Sequence, residues 1–324
     1  MKLHYALFIG VILLIASCKR EKLEPFTPKN HLASFQKEKS QFFDLDTIYW
    51  KKIIGKHGTK INYYRGLFDL KETDKVQLEL IELYDFKEIL YRNIQTLTTD
   101  NQLLESSGVL KIKFTSNGKE LQLKKGERIA VFPPKRKLMD NDIFLSETDS
   151  IGNIKWKITN QDYCDILIYV GGGITTRKTV ACDSVQFFIK NSNRWNPNKP
   201  LDSTKNSERF ILYNLSAKWI NIDHFVKNVS KVDFSVTETT RRFTGFDIYF
   251  NYDNINSFMY QSRFGDNLKF QQIPISGKTH IIIVGTYKQQ IYYDKIELKE
   301  ATNNATLNIN MKKTTTKDLK RLFE

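Results

Sequence analysis

The side chains of this 324-residue chain that could do chemistry are few and scattered. Five histidines, His4, His31, His57, His224 and His280, stand far apart. None has the His-x-x-x-His or His-Glu-x-x-His spacing that sets two imidazoles on one helix face around zinc. No Cys-x-x-Cys pair occurs among Cys18, Cys164 and Cys182, so the sequence supports no metal site, and it carries no cofactor fingerprint. Asp223-His224 is the one adjacent acid–base pair. Neighbours on a strand point to opposite faces, so this carboxylate cannot orient this ring as a catalytic dyad requires. Asp140-Asn141-Asp142 and Glu147-Thr148-Asp149 offer oxygen ligands, but Ile151 and Ile158 stand where a calcium loop needs donors, and turn formation explains the acids better. Gly171-Gly172-Gly173 lies between strand-like residues, which makes it a hairpin turn rather than a phosphate cradle. Arg194-Trp195-Asn196 sits in a polar stretch, 191–207, that contains Pro197 and Pro200. An aromatic face flanked by donors suits sugar stacking, but a loop tryptophan more often plugs the edge of the chain's own core. No catalytic residue emerges.

Sheet must position these groups. From Asp46 onward, short runs rich in Val, Ile, Tyr, Phe and Thr alternate with Gly, Asn and Asp clusters. Val76–Leu83 and Val109–Phe114 alternate at period two, and Ser116-Asn117-Gly118-Lys119 is a hairpin turn. Further strands are expected at 120–123, 129–132, 143–146 and 154–158. One helix interrupts them over Asp85 to Thr96, with Asp85 as cap, Glu88 completing a capping box, and Phe86, Ile89, Leu90 and Ile94 on one face; Leu97 to Gln102 then returns to strand. The stretch 159–230 is the least regular, with strands at 163–170, 179–189, 210–215 and 219–225. Six more strands follow, at 232–236, 246–251, 258–261, 279–287, 291–298 and 305–311, and their spacing predicts an immunoglobulin-like sandwich over 231–324. A short basic helix over 316–322 closes the chain. The expected fold is mainly β: tandem sandwiches, the first over 46–158 with one short helix, the last immunoglobulin-like. Residues 18–45, charged and broken by Pro25 and Pro28, read as a tether.

The first eighteen residues bear on location. Lys2 precedes an apolar run from Tyr5 to Ile15, and small residues lead into Cys18, the order of an export signal. Ile15-Ala16-Ser17-Cys18 resembles the lipobox of bacterial lipoproteins. That resemblance implies a signal peptide over 1–17, lipidation of Cys18 and a membrane anchor. The apolar run is shorter than the ~20 residues needed to span a bilayer. Lys19 after the cysteine resembles lipoproteins destined for an outer membrane, so the expected location is the cell envelope.

If the lipid takes Cys18, two cysteines remain in an oxidising compartment. With Gly172-Gly173-Ile174 as the turn, Tyr169 faces Arg177 and Cys164 falls opposite Cys182, close enough for a disulfide. In a wider loop the two thiols are small buried hydrophobes on separate strands. Four tripeptides, around Thr47, Ser150, Ser184 and Ser203, are similar to the Asp-Ser/Thr-aliphatic acceptor for O-glycosylation in Bacteroidota; Asp-Ser and Asp-Thr also form turns.

A wider resemblance rests on Glu82–Leu90, Thr96–Asp100, Leu103–Gly108 and Asn117–Leu121, together with Lys218-Trp219-Ile220-Asn221-Ile222-Asp223-His224-Phe225. These passages resemble a family of secreted and surface lipoproteins of Bacteroidota with tandem β-sandwich domains. Gly58-Thr59-Lys60-Ile61 is similar to the opening of the sandwich shared by netrin receptors and ankyrins. The family resemblance implies fold and location, and no catalytic activity.

Net charge is +14, from 50 basic and 36 acidic residues, but the charges are interleaved; Lys124-Lys125 and Lys135-Arg136-Lys137 are the densest clusters. Short clusters suit a solvated face beside anionic headgroups rather than a nucleic-acid groove. The sequence therefore predicts a lipid-anchored envelope protein without enzymatic activity that binds or scaffolds an envelope protein or polysaccharide. The alternative is a surface lipoprotein that binds or hydrolyses polysaccharide.

Overall fold

A computed structural model describes residues 25–45, 50–134, 141–149, 152–159, 163–170, 174–181, 203–205, 209–212, 215, 219–265 and 267–323. The chain is mainly β. In order the elements of the first part are β1 (Gln41–Asp44), β2 (Trp50–Ile54), β3 (Lys60–Tyr64), β4 (Val76–Leu83), α1 (Phe86–Tyr91), β5 (Leu104–Ser116), β6 (Lys119–Glu120), β7 (Ile129–Phe132), β8 (Asp142–Thr148) and β9 (Ile154–Ile158). The middle holds β10 (Tyr163–Val170), β11 (Ile174–Ala181), β12 (Ser203–Lys205), β13 (Phe210–Leu212) and β14 (Trp219–Phe225). The last part is β15 (Ser230–Glu238), β16 (Gly245–Tyr252), β17 (Phe258–Phe264), β18 (Asn267–Ile275), β19 (Thr279–Tyr287), β20 (Gln290–Leu298), β21 (Ala305–Ile309), β22 (Lys312–Thr314) and α2 (Thr316–Arg321).

The first sandwich faces a sheet in the order β1-β4-β5-β14-β8-β9 against one in the order β13-β7-β3-β2. Period-two alternation on β4 and β5 sends Leu78, Leu80, Leu110, Ile112 and Phe114 inward to meet Ile61, Tyr63, Val131 and Phe210. The β5–β6 hairpin closes through Asn117 and Gly118, both at positive φ, as a two-residue turn between twisted strands requires.

The predicted boundary at 159 is corrected. β13 and β14 complete the first sandwich, with β14 lying between β5 and β8 in register Trp219↔Lys111 through Phe225↔Leu104, so only β10, β11 and β12 form a separate sheet. Ser203–Lys205 pairs with Cys164–Ile166 rather than continuing a loop.

In the last sandwich, β17-β16-β19-β20 has the order of the C′-C-F-G sheet of an immunoglobulin-like domain, and β18-β15 that of E-B. The place beside β15 is taken by β21, which runs parallel to it. Strand β18 is not legible in the sequence: a bulge opposite Asp233 breaks its alternation, and it contains Pro274, which an edge strand tolerates.

The two sandwiches share a third core. On β19 the unbroken apolar run is explained by burial on both faces: Ile281 and Ile283 point into the last sandwich, while Ile282 and Val284 meet Leu83, Leu104, Phe144 and Trp156 on the outer face of the first. Leu319 of α2 joins this layer.

Residues 25–45 are not a tether. Leu32 is fully buried in the shared core, Asn30 and Gln36 donate to the Tyr91 carbonyl at 2.8 and 3.0 Å, and β1 pairs with β4. This strap alters the helix it lies against. Asp85 caps α1 by accepting from Lys87 N at 3.0 Å. Glu88, expected to close a capping box, instead accepts from the Lys37 and Glu38 amides. The helix stops at Tyr91 because Asn93 takes φ 56°, and Leu97–Gln102 is a turn, not a strand, with Thr98 hydroxyl to Asp100 at 2.6 Å.

Candidate functional site

Where the sandwiches meet, residues 259–263 and 271–274 of the last one face Gln95, Leu97, Asn101, Asp149, Asn153 and Lys155 of the first, leaving a cleft of about 310 Å³. Its floor is apolar: Leu97, Met259, Ile273 and Pro274. Its walls are mostly carboxamides, from Gln95, Asn101, Asn153, Gln261, Gln271 and Gln272, with Asp149, Lys155 and Arg263 as the charged groups.

Each wall is held by its own local chemistry. The Gln95 carbonyl accepts the indole N–H of the fully buried Trp156 at 2.6 Å, and its side-chain oxygen accepts from Tyr260 N at 3.2 Å, which joins the two sandwiches at the base of the cleft. Asn101, at φ 61°, accepts from Lys155 Nζ at 2.9 Å. Asp149 holds Asn153 through its amide at 2.8 Å and its side chain at 3.2 Å. Gln261 accepts from Arg263 at 2.7 Å, and the guanidinium lies 5.8 Å from the centre of the Phe270 ring.

Gln271 and Gln272 come from the bulge in β18, where two residues oppose the single Asp233. Asp233 accepts from Gln272 N at 2.7 Å, and Gln272 adopts φ 52°, a left-handed backbone that an ordinary residue enters at a cost of roughly 1 kcal/mol. Bulges re-aim side chains at functional edges, and this one brings two neighbouring glutamines to the same cleft where a regular strand would send them to opposite faces.

Two buried polar clusters stand out, the first of them joined to the cleft through Tyr260. Asp247 on β16 accepts from Tyr260 OH at 2.6 Å, from the Lys29 amide at 3.2 Å, and pairs with His31 Nε2 at 2.9 Å. Burial, then the Asp247 charge, push the Tyr260 hydroxyl above the usual phenol range. On the outer face of the large sheet, Ser106 donates to Asn221 at 3.1 Å and Asn221 donates to Asp223. Complete burial holds the Asp223 carboxyl well above the usual carboxylate range.

The sequence-predicted groups do not converge on the cleft. Asp223 is buried while His224 turns outward to Asn141 at 2.9 Å and Glu105 at 3.4 Å, so the adjacent pair forms no dyad. Glu147 pairs with Lys157 at 3.4 Å, and Asp149 lines the cleft. Cys18, Thr47, Ser150, Cys182, Ser184, Arg194, Trp195 and Asn196 lie outside the described residues, and of Ser203 only the backbone is described.

Cys164 is disulfide-bonded, but the register expected for it is wrong: it faces Val180, and Tyr169 faces Thr175, two residues from the predicted alignment. Val170 pairs with Ile174, so the register of the hairpin is centred one residue earlier than expected; the glycines themselves lie outside the described residues. No group of metal-holding residues occurs among the described residues. The cleft glutamines escaped the sequence reading; the one signal for them was Gln271-Gln272 breaking an apolar alternation.

Compared with known proteins, the chain matches no family model, no curated protein and no solved structure.

Proposed function

We propose that the chain is a lipid-anchored envelope protein that binds a polar, hydroxyl-rich ligand, a polysaccharide segment, in the cleft between its sandwiches, without transforming it. The observation that carries this reading is the set of six carboxamides around an apolar floor. A carboxamide both donates and accepts, as a sugar hydroxyl does, so such walls offer a glycan hydrogen-bonding partners while the floor meets its apolar C–H faces. Hydrolysis of a glycosidic bond ordinarily uses two carboxyl groups about 5 to 10 Å apart. Asp149 is the one carboxylate lining the cleft among the described residues, and it already holds Asn153, which favours binding over hydrolysis.

The mature protein applied to an array of bacterial envelope oligosaccharides is expected to retain a defined subset. Asn153→Ala and Gln261→Ala should each weaken that retention about tenfold, the value of one lost hydrogen bond in a desolvated site. Retention unchanged in both variants removes the cleft from the function, and release of shortened sugars replaces binding by hydrolysis. The anchor is tested separately: radiolabelled palmitate should label the wild type and not Cys18→Ala.

A further inference from the structure

We infer that one end of the last sandwich is a docking surface for an anionic lipid bilayer, adjoining the cleft at Arg263. Four connections converge there. Gly245 at the start of β16 pairs with Phe264 at the end of β17, Thr237 pairs with Asn267, Tyr287 lies 6.3 Å from Phe243 ring to ring, and β21 ends beside Glu238. Residues 239–244, 263–265, 267, 286–290 and 310–313 therefore share one face.

That face is basic and carries an aromatic tip. Arg241, Arg242, Arg263, Lys288, Lys312 and Lys313 are all exposed there. Among the described residues, the acids near them are hydrogen-bonded: Glu238 is buried and accepts from Thr240 N, and Asp294 accepts from Asn310 N at 2.8 Å. Phe264 is 68% exposed, the most exposed of the large apolar side chains described. Its ring meets Phe26 edge-on at 5.3 Å, so it stands at the rim as a rigid wedge. Exposed aromatic and basic groups together are what an interface of headgroups and acyl chains accommodates.

Where the strap begins supplies the second, independent observation. Phe26 packs on Gly245, so the strap enters the fold at this same end. Cys18 precedes Pro25 by seven residues, which reach at most about 25 Å. This inference rests on the lipid-anchor reading for orientation: an acyl chain at Cys18 holds this end, and no other, within a short distance of the headgroups. The surface then turns a tether into a two-point attachment, lipid plus basic patch, and sets the direction in which the cleft opens relative to the membrane.

The test uses the mature chain with Cys18→Ser, which lacks any lipid, in flotation with vesicles of phosphatidylcholine alone or mixed with one-third phosphatidylglycerol. Wild-type sequence at position 264 and in the loops should float with the anionic vesicles at low salt and lose most of that binding at 0.5 M NaCl. Arg241→Glu/Arg242→Glu/Lys288→Glu should lower partitioning on the order of 100-fold. Phe264→Ala should lower it about fivefold, and a melting temperature unchanged in each variant excludes misfolding as the cause. A control reversal at the opposite end of the molecule, Lys52→Glu/Lys60→Glu, should leave it intact. Equal flotation with neutral vesicles, or equal loss in the control reversal, overturns the docking surface. Absence of palmitate label on the wild type would remove the anchor without touching the vesicle result, so the two readings fail separately.

Discussion

His31 and Asp247, 216 positions apart in the chain, meet in the interior with 2.9 Å between Nε2 and the carboxylate. The contact closes the strap over the last sandwich, and the same carboxylate gathers the Lys29 amide and the Tyr260 hydroxyl. Both partners are almost wholly buried, at 1% and 2% side-chain exposure, so each depends on the other for the hydrogen bonds that water would otherwise supply.

Asp247→Ala leaves three donors unmatched in the interior and is expected to cost about 3 to 5 kcal/mol in urea unfolding. His31→Ala, which leaves the remaining donors to Asp247, should cost about 1 to 3 kcal/mol. In both variants the strap loosens first, so limited digestion should cut between residues 25 and 45 well before the sandwiches. Equal resistance of the strap in wild type and Asp247→Ala would show that the hub does not hold it.

Asp223 predicts a pH dependence of definite sign. Its folded-state pKa is raised by burial, so the folded chain keeps a proton that the unfolded chain releases above about pH 4. Stability from this group is complete below that value and falls as pH rises toward the folded pKa. Asp223→Asn carries no proton to lose. Its urea midpoint should match wild type near pH 3, and then exceed it increasingly as pH rises above about 4, levelling off once the folded pKa is passed. A wild-type advantage at pH 8 would show that the carboxylate is ionised and stabilising there.

Gly245 is required by close packing. A Cβ there would stand 2.4 Å from the Phe26 ring and 2.7 Å from the Arg263 carbonyl oxygen. The ring can swing away but the carbonyl belongs to the paired strand β17. Gly245→Ala should therefore cost about 1 to 3 kcal/mol by differential scanning calorimetry, typical of overpacking. Adding Phe26→Ala should recover only part of the loss; full recovery would place all the strain on the ring.

The sequence by itself determined many of the strands, though not β18, and where their apolar positions fall. Ile129–Phe132, Ile154–Ile158, Tyr163–Val170, Trp219–Phe225 and Thr279–Tyr287 lie where their patterns place them, and Asn117-Gly118 makes its hairpin, because period two and turn chemistry are local properties. The C-terminal helix was equally legible, with Thr315 as its cap.

Only the tertiary structure decided what each apolar face meets. The run Ile281-Ile282-Ile283-Val284 reads the same whether one face or two are covered, and the second face is covered by strands about 125 to 200 residues earlier in the chain. The charged segment 25–45 looked like linker because its anchors, Asp247, Tyr91 and Glu88, lie far off in sequence. The cleft has the same origin. Its amides are ordinary surface residues one by one, and they become a site because a bulge against Asp233 and a bond from Gln95 to Tyr260 bring two sandwiches edge to edge. Hydrogen bonds and packing between distant segments leave no period in the chain that makes them, so they appear only once the fold has brought those segments together.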